Sequence, residues 1–359
     1  MGPREVAGER RKRRLRMTNT TRKNGSFLLL AATVCAVLFS GTVQAASFNF
    51  FTVNDPDAAT DTPPFIQLLG INNAGTVVGY TGMGTPNPNR GIILTFPNTF
   101  TSLNPNIDPV NCTTCQVQVF GITSAGTTTD GFFTDAGGIT HGFLDSGNGP
   151  TATIVDDPLA PPANNQLLGL DYNGDEAAGF YTDAGGLTHA YTYAVAGGTF
   201  TSLPTGLANG PVAGDNNMAT GVNNAGMVAG FDSPSGAVSN GFLFSAGVYT
   251  GIQFPGSTFT QPLGLNDNGE VVGTYTDAGG DMHGFTYFNG TYVSFDAPGA
   301  TTMTVANGVN DQGDIVGFFV DANGDTVGFE AVPTPELGTL LLFGMGLTIV
   351  TYRLQRRRQ

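Results

Sequence analysis

The sequence predicts an all-β protein, a six-bladed β-propeller, and three observations support this fold class. Glycine makes up 52 of the 359 residues, a content that helices do not tolerate because each glycine costs a helix about 1 kcal/mol. The aromatic content of 10% and the charged content of 12% are those of an ordered chain. One phrase also recurs six times at a spacing typical of propeller blades.

The repeated phrase organises the interior of the chain. Its form is Gly-x-Asn-x-x-Gly-x-Val-x-Gly, which all six units match loosely and three match well. The leading glycines lie 51, 48, 52, 43 and 44 residues apart. They are Gly70, Gly121, Gly169, Gly221, Gly264 and Gly308. Repeats of about 40–50 residues with strand and turn residues indicate propeller blades. Residues 46–332 therefore predict six blades of about 48 residues each, with a β-helix or an open solenoid as the structural alternative.

The last repeat shows the strand pattern expected of each blade. Four strands are predicted, at Tyr292–Asp296, Val305–Val309, Ile315–Val320 and Val327–Ala331. Asn-Asp-Gln-Gly and Asp-Ala-Asn-Gly separate the last three, and their Gly and Asn supply the positive φ angles that hairpins need. Phe48–Val53 matches the first of these strands. We therefore expect six whole blades, with no blade shared between the two chain ends.

Strand alternation assigns the connecting loops to two faces. Three long Pro-rich loops are predicted on one irregular, acidic face, and the tight Asp-Ala-Gly-Gly turns on the other. The long loops are Asn104–Cys115, Asp156–Asn165 and Pro204–Thr220. Because binding loops are commonly carried on a rigid scaffold, the irregular face is the expected binding face.

The charges are distributed unevenly along the chain. Nine of the 14 Lys and Arg precede residue 24 and four follow residue 352, which leaves Arg90 alone in the interior. Residues 46–335 contain 25 acidic residues and carry a net charge of about −24. Nucleic-acid binding requires clustered cations, so no nucleic-acid partner is expected. Schiff-base chemistry and Lys-based phosphate binding are excluded because the interior has no lysine.

The N-terminus has the pattern of a signal peptide. Arg22-Lys23 precede an apolar run, Phe27–Phe39. Val43 and Ala45 stand where signal peptidase requires small residues, so residues 1–45 are predicted to be removed. A transmembrane anchor is the alternative, but the run is short for a bilayer about 30 Å thick. Residues 1–16 are interpreted as an extension upstream of the real start.

The C-terminal segment, residues 333–359, has three parts in order. A Pro-Thr-Pro-Glu break is followed by the apolar stretch Leu337–Tyr352 and then by Arg356, Arg357 and Arg358. This stretch is at the short edge of a membrane span, and the arginines orient it with the tail inside. A single transmembrane helix that docks the chain at the inner membrane is predicted.

This tail resembles the PEP-CTERM sorting signal of Gram-negative bacteria, through Pro335, Glu336, Gly338 and Thr339. Leu337 departs from the motif, which usually has a second proline there. The resemblance implies export, cleavage near the motif by an exosortase, and a place at the cell surface or in the extracellular matrix. The repeats, with the His-Gly-Phe that follows them, also resemble the HAF family of extracellular repeats, which implies no particular chemistry.

Two cysteines, Cys112 and Cys115, remain after removal of the signal peptide. An even number in an exported protein predicts a local disulfide. Free thiols and a catalytic pair are the alternatives. No helix is predicted after the pair, as a thioredoxin-like site would need, and no further zinc ligands lie nearby in sequence.

The three histidines of the body occupy one position of the repeat: His141, His189 and His283. Each follows an aspartate by six residues, and these are Asp135, Asp183 and Asp277. A catalytic histidine is normally unique, so each pair is predicted to be a structural clasp across a hairpin. A metal or ligand site is the alternative.

Two acidic turns are candidate calcium sites. Their carboxylates are Asp171 with Asp175, and Asp321 with Asp325. Calcium takes several oxygen ligands, but neither turn has the spacing of an EF-hand loop. Asp and Asn are also common turn residues, so a purely structural role is the alternative. No cofactor other than calcium is expected.

The sequence favours a non-enzymatic surface or matrix protein that interacts with exopolysaccharide or other surface proteins. The alternative is a secreted carbohydrate-active enzyme with acid and base carboxylates on the rim of the propeller. An enzyme should contain one acid whose surroundings break the repeat. The acids of this chain mostly recur at equivalent turn positions, which favours the first hypothesis.

Overall fold

The computed structural model describes residues 47–56, 63–82, 88–96, 99–102, 115–147, 152–160, 164–235 and 237–334. All of them belong to the compact unit Ala46–Gln359, and the other unit, Met1–Ala45, lies outside this description. The described residues form 24 β-strands, which confirms the predicted all-β class. Within these ranges, no helix has the length and apolarity required to cross a membrane.

The strands pair as four-stranded antiparallel meanders that follow one another along the chain. The first strand, β1, spans Phe48–Val53. The first meander comprises β2 (Ile66–Ile71), β3 (Thr76–Thr81), β4 (Arg90–Thr95) and β5 (Thr99–Ser102). The second comprises β6 (Gln116–Ile122), β7 (Thr129–Thr134), β8 (Thr140–Asp145) and β9 (Thr153–Val155). The third comprises β10 (Asn165–Leu170), β11 (Glu176–Thr182), β12 (Thr188–Ala194) and β13 (Thr199–Ser202).

The second half of the chain repeats this arrangement. The fourth meander comprises β14 (Asn216–Val222), β15 (Val228–Ser235), β16 (Val238–Ser245) and β17 (Val248–Ile252). The fifth comprises β18 (Thr260–Leu265), β19 (Val271–Thr276), β20 (Met282–Phe288) and β21 (Thr291–Phe295). The sixth comprises β22 (Met303–Val309), β23 (Ile315–Val320), β24 (Thr326–Pro333) and β1. One parallel pair, Met282–Met303, joins the last two meanders into an eight-stranded sheet.

The sixth meander takes strands from both ends of the described chain. β1 pairs antiparallel with β24, from Phe48 opposite Pro333 to Val53 opposite Gly328. The amide of Thr334 continues this pairing by donating to the carbonyl oxygen of Ser47 at 2.8 Å. The expectation that no blade is shared between the chain ends is therefore wrong.

The strand positions predicted in the last repeat agree with the structure. The assignment of these strands to meanders is wrong by one strand. β21, which the sequence assigns to the start of a unit, pairs with β20 and completes the preceding meander. The reason is the hairpin between them. Asn289 and Gly290 have φ angles of 48° and 83°, the positive values of a tight turn whose twist suits adjacent antiparallel strands.

Each meander meets the next through the leading glycine of its repeat. We call the first-named strand of each meander its inner strand; these are β2, β6, β10, β14, β18 and β22. Every inner strand has a β-bulge just before the leading glycine. The bulge lets the backbones of neighbouring inner strands approach closely. A Cβ on Gly70 would overlap the carbonyl oxygen of Phe120 in the second meander. A Cβ on Gly308, in the sixth meander, would lie 2.9 Å from the Cα of Gly70. The series of inner strands therefore returns to its start.

The apolar core lies between the meanders as a series of buried clusters. Each of several clusters combines residues of two consecutive meanders, such as Val78 with Phe143 and Val272 with Phe329. The pair Val316 and Ile92 connects the sixth meander with the first. Both faces of each sheet are thus covered by its neighbours, which explains the near-continuous burial of the second and third strands.

Candidate functional site

Each of the three histidines lies beside the aspartate predicted to clasp it. The histidines occupy the second position of β8, β12 and β20, directly after the turn that carries the aspartate. His189 Nε2 lies 2.9 Å from Asp183 Oδ2. The corresponding distances are 3.5 Å from His283 to Asp277 and 3.8 Å from His141 to Asp135. The geometry thus agrees with the hairpin clasp.

Two of the imidazoles contact a second carboxylate that the sequence did not single out. His141 Nδ1 lies 2.7 Å from Asp156 Oδ2, and His283 Nδ1 lies 2.9 Å from Asp296 Oδ1. Both aspartates begin the loop that leads to the next inner strand. In the third meander Pro204 occupies this position, two residues after the end of β13, so His189 has only Asp183. His141 and His283 therefore tie a hairpin turn to a long loop.

The electrostatics of the clasps favour a charged imidazole at His283. Its burial opposes protonation, but the hydrogen bonds and charges of Asp296 and Asp277 outweigh this effect and raise the pKa of His283. The amide of Asp281 and the partnership with His283 hold the pKa of Asp277 below its usual value. The pKa of Asp183 is lowered chiefly by its hydrogen bond with His189.

The histidine turns lie on the same face as the described parts of the long loops Asp156–Asn165 and Pro204–Thr220, so the predicted division of the loops is wrong. The start of each third strand lies beside the start of the next inner strand, as the parallel bridges Thr140–Asn164 and Ser239–Phe259 show. The second-to-third turns and the loops between meanders therefore meet at one edge. We call this edge the loop face. It carries exposed apolar side chains, among them Leu159, Leu207 and Val212.

The opposite face, which we call the turn face, is built by the turns that follow the inner strands. Asparagine side chains of the repeat bind the next meander here. Asn223 Nδ2 donates to the carbonyl oxygen of Asn266 at 3.0 Å, and Asn266 Nδ2 donates to that of Asn310 at 2.8 Å. The next position of the repeat adds side-chain contacts, such as Asn73 Nδ2 to Asp311 Oδ2 at 2.6 Å. These bonds join neighbouring meanders rather than form an open site.

Tyr172 breaks this pattern, because the equivalent positions hold Asn, Asp or Ser. Its hydroxyl donates to the carbonyl oxygens of Val309, at 2.9 Å, and Ile71, at 3.1 Å. It thus reaches from the third meander to the sixth and the first, across the space between the inner strands. Burial, followed by the charges of Asp311 and Asp267, raises the pKa of Tyr172. The departure from the repeat was the available sequence signal for this residue.

A small pocket of about 50 Å³ lies between the inner strands. It is lined by residues from all six inner strands, including the leading glycines, and by Tyr172. This volume accommodates a few water molecules but not a sugar ring.

The two acidic turns predicted for calcium lie on opposite faces. Asp171 and Asp175 belong to the turn face, whereas Asp321 and Asp325 follow β23 on the loop face. Asp171 Oδ1 accepts from the amide of Asp175 at 2.7 Å, and Asp321 Oδ1 accepts from that of Asp325 at 3.0 Å. Each first aspartate thus stabilises its own turn. In the described ranges, no three His, Cys, Asp or Glu side chains are placed to hold a metal ion.

Several predicted site residues lie outside the described residues. They are Val43 and Ala45 of the signal cleavage site, Cys112, and Pro335, Glu336, Gly338, Thr339, Arg356, Arg357 and Arg358 of the sorting tail. Cys115 is described. It is buried at the start of the second meander and is disulfide-bonded.

Comparison with solved structures supports a β-propeller-like fold. A TolB-like protein from Agrobacterium tumefaciens has a TM-score of 0.53 and 14% identity, covering 82% of this chain and all of that one. TolB from Acinetobacter baumannii has a TM-score of 0.48 and 10% identity, covering 76% and 64%. Aleuria aurantia lectin in complex with α-methyl-L-fucoside has a TM-score of 0.41 and 10% identity, covering 82% and 99%. At these identities only the fold is comparable, and only the first likeness is strong enough to show it. Neither a protein-family model nor a curated protein matches the sequence.

Proposed function

We propose that this protein is an exported, non-enzymatic, six-bladed β-propeller that binds exopolysaccharide or surface proteins through its loop face. The six meanders supply the blades. The contact of Gly308 with Gly70 and the pairing of β1 with β24 support closure of the ring. In this proposal the N-terminal strand completes the last blade.

The observation that carries the binding role is the pair of double clasps on the loop face. His141 joins Asp135 to Asp156, and His283 joins Asp277 to Asp296. The loops that begin at Asp156 and Asp296 are thereby held against a rigid scaffold. Loops held in this way are suited to binding because less conformational entropy is lost when a partner docks.

Four turn carboxylates of the loop face support a non-enzymatic role. The first aspartate of the turns that start at Asp135, Asp183, Asp277 and Asp321 accepts backbone N–H groups of its own turn. Hydrogen bonds lower the pKa of all four, and the histidines contribute to this effect at Asp135, Asp183 and Asp277. A glycosidase acid needs a raised pKa and a second carboxylate facing a cleft, and these residues have the opposite character.

Export and sorting complete the proposal. Signal peptidase removes residues 1–45, the Leu337–Tyr352 helix docks the chain at the inner membrane, and an exosortase cleaves near Glu336. The mature protein then stays at the cell surface or in the matrix. Intact-mass spectrometry of surface material should give a chain that starts at Ala46 and ends near Glu336. Retention of Arg356–Arg358 in all surface material would contradict cleavage.

Binding is tested with the mature protein and the host's own exopolysaccharide by isothermal titration calorimetry. His141→Asn and His283→Asn release a loop from its turn and are expected to weaken binding several-fold. His189→Asn is the matched control, because its clasp lacks a loop carboxylate. Equal affinities for all variants would contradict a role for the clasped loops. Release of new reducing ends from the polysaccharide would instead support the carbohydrate-active enzyme.

A further inference from the structure

One interface between meanders differs from the others in its polarity. Within the described part of the chain, seven buried side-chain atoms have no hydrogen-bond partner, and all lie in the second and third meanders or the loop that joins them. They are Thr129 Oγ1, both carboxylate oxygens of Asp130, Asp156 Oδ1, Asp157 Oδ2, Asn165 Nδ2 and Tyr191 Oη. Buried polar groups normally find partners, so this concentration requires an explanation.

The repeat shows what has changed at this interface. Asp130 pairs with the leading glycine of its inner strand. The residues with the same pairing in the other meanders are Val78, Ala178, Ala229, Val272 and Val316. Tyr191 lies on the third strand of its meander and pairs with a glycine of the second strand. At the position of Tyr191 the other meanders have Ile92, Phe143, Phe242, Phe285 and Phe329. The second meander thus has an acid in place of a small apolar residue, and the third has a tyrosine in place of an apolar residue.

These two positions face each other across neighbouring meanders. The second-strand residue of one meander shares a buried cluster with the third-strand residue of the next in four cases: Val78 with Phe143, Ala178 with Phe242, Val272 with Phe329 and Val316 with Ile92. By the same geometry Asp130 faces Tyr191. Burial raises the pKa of Tyr191, and the charges of Asp157, Asp156 and Asp130 add to this effect, so all three carboxylates act on its hydroxyl.

Asp130 has no positive partner in this surrounding. It is fully buried, and neither carboxylate oxygen has a hydrogen-bond partner of good geometry. Burial raises its pKa and outweighs the nearby backbone amides of Gly121, Asp130 and Gly169, which lower it. The titratable side chains on β8 and β12, and in the two residues directly after β9 and β10, are acidic or phenolic except His141 and His189. The acids and phenols are Asp145, Asp156, Asp157, Asp171, Tyr172, Tyr191 and Tyr193. His189 is bound to Asp183 at 2.9 Å. His141 is bound to Asp156 at 2.7 Å. Within the described residues, these acids do not form a group of three placed for a metal ion.

Two small ligands remain that satisfy such a site, namely water and a proton. A buried carboxylate without a cation loses its charge more readily than it keeps it, and burial raises the pKa of Asp130 to about 7. Ordered water bridges buried polar groups that have no protein partner. Asn165 already accepts from the amide of Asp157 at 2.8 Å, which leaves its amide nitrogen and the free Asp157 oxygen for such water.

We propose that the interface between the second and third meanders is a hydrated, proton-binding joint. Ordered water links Asp157, Asn165, Tyr191 and Asp130, and Asp130 binds a proton in acidic medium. The joint goes beyond the proposed function, because it would operate whatever partner the loop face binds.

The sign of the pH effect follows from the direction of the shift. The folded chain binds the Asp130 proton more tightly than the unfolded chain, whose carboxyl has the ordinary pKa of 3.8. The stabilisation is complete below that value and is lost as the pH rises toward about 7. The folded chain is therefore stabilised by this joint more in acidic than in neutral medium.

The test is a set of variants of the mature chain, compared by melting temperature between about pH 5 and about pH 8. Asp130→Asn keeps the shape and removes the titration, whereas the double variant Asp130→Val with Tyr191→Phe restores the apolar pair found elsewhere. Across this pH range, the melting temperature of the unmodified chain should fall by roughly 5 °C or more relative to that of each variant. Tyr191→Phe alone should keep most of the pH dependence. The three histidines are present in every variant, so their titration cancels.

Two measurements decide the proposal even if the apolar variant fails to fold. Infrared difference spectra should show a protonated carboxylic acid band that is present in acid and absent from Asp130→Asn. A crystal structure at atomic resolution should show water between Tyr191 Oη and Asp130. Identical pH dependence in the unmodified chain and Asp130→Asn would overturn proton binding. A metal ion, or a dry interface, at that position would overturn the hydrated joint.

Discussion

At the residue scale, several side chains that depart from the repeat make contacts that the equivalent residues of other meanders do not make. Tyr172 stands where other repeats have short polar side chains, and its hydroxyl binds two carbonyl oxygens on other meanders. Asp156 and Asp296 turn two hairpin clasps into links between a turn and a loop. Pro204 removes that link from the third meander. Because the equivalent positions of other meanders lack these residues, each departure can be tested against an internal control.

Tyr172→Phe should lower the free energy of unfolding by about 1–2 kcal/mol, since only the hydrogen bonds of the hydroxyl are lost. Tyr172→Asn, which restores the repeat, should cost about 3–5 kcal/mol because the ring between the inner strands is also lost. Denaturant unfolding monitored by circular dichroism measures both. If the two variants were equally stable, the ring would contribute nothing to closing the space between the inner strands.

His283→Asn should reduce stability by about 1 kcal/mol or less, the scale of one net hydrogen bond at a partly exposed site. The raised pKa of His283 means that its contribution is present below the ordinary value of 6.5 and is lost as the pH rises through the folded value. The difference in melting temperature from the unmodified chain should therefore shrink from acidic to alkaline pH. His189→Asn is the control, because His189 lies beside one carboxylate rather than two. A pH-independent difference for His283 would show that its charge does not contribute.

At the scale of elements, the close approach of neighbouring inner strands depends on the leading glycines to different degrees. Gly70 and Gly308 leave no space for a methyl group, because the backbone of the next inner strand occupies it. Gly221 occupies the equivalent position in the fourth meander, but the nearest atom to a Cβ there would be 3.7 Å away. The same sequence position is thus strictly required in one meander and not in another.

Gly70→Ala should destabilise the protein by about 3 kcal/mol or more, since backbone rather than a flexible side chain must move. Gly221→Ala should change stability by about 1 kcal/mol or less, with a gain from reduced entropy of the unfolded chain partly offsetting any strain. Thermal unfolding of the two variants under the same conditions measures both changes in stability. Similar losses for both would mean that the spacing of the inner strands does not decide the requirement for glycine.

At the scale of the whole molecule, the array is completed by pairing the first described strand with the last. β1 supplies the outer strand of the sixth meander, and Phe48 and Phe50 pack near Phe295 and Phe329. The two ends of the described part of the chain therefore meet in one sheet. An all-β array with a missing strand exposes a hydrogen-bonding edge, which promotes aggregation.

Deletion of residues 46–54 from the mature chain should abolish cooperative unfolding or cause aggregation, because β24 then presents an unpaired edge and its aromatic cluster loses two rings. A synthetic peptide of residues 47–54 should restore the melting transition in a concentration-dependent way. Calorimetry and light scattering measure the two effects. A truncated chain that melts like the complete one would show that β1 is not needed for closure.

Millimolar calcium and sodium chloride of equal ionic strength should raise the melting temperature of the mature chain by similar amounts. The acidic body repels itself, so screening stabilises it. Asp171 and Asp321 already use a carboxylate oxygen within their own turns, which leaves coordination little to add. A clearly larger shift with calcium would instead support the calcium sites predicted from the sequence at these two turns.

The sequence by itself determined the all-β class, the repeat and the strand positions of the last repeat, because turn glycines and the short apolar runs between them are local signals. It also indicated the pairing of each histidine with the aspartate before it, since both belong to one hairpin. Only the tertiary structure decided which strands share a meander, which loops share a face, and that Asp156, Asp296, Tyr172 and Asp130 have the partners described. Those relations depend on contacts between residues far apart in the chain, and a repeated sequence specifies such contacts equally well in more than one register until the strands are packed together.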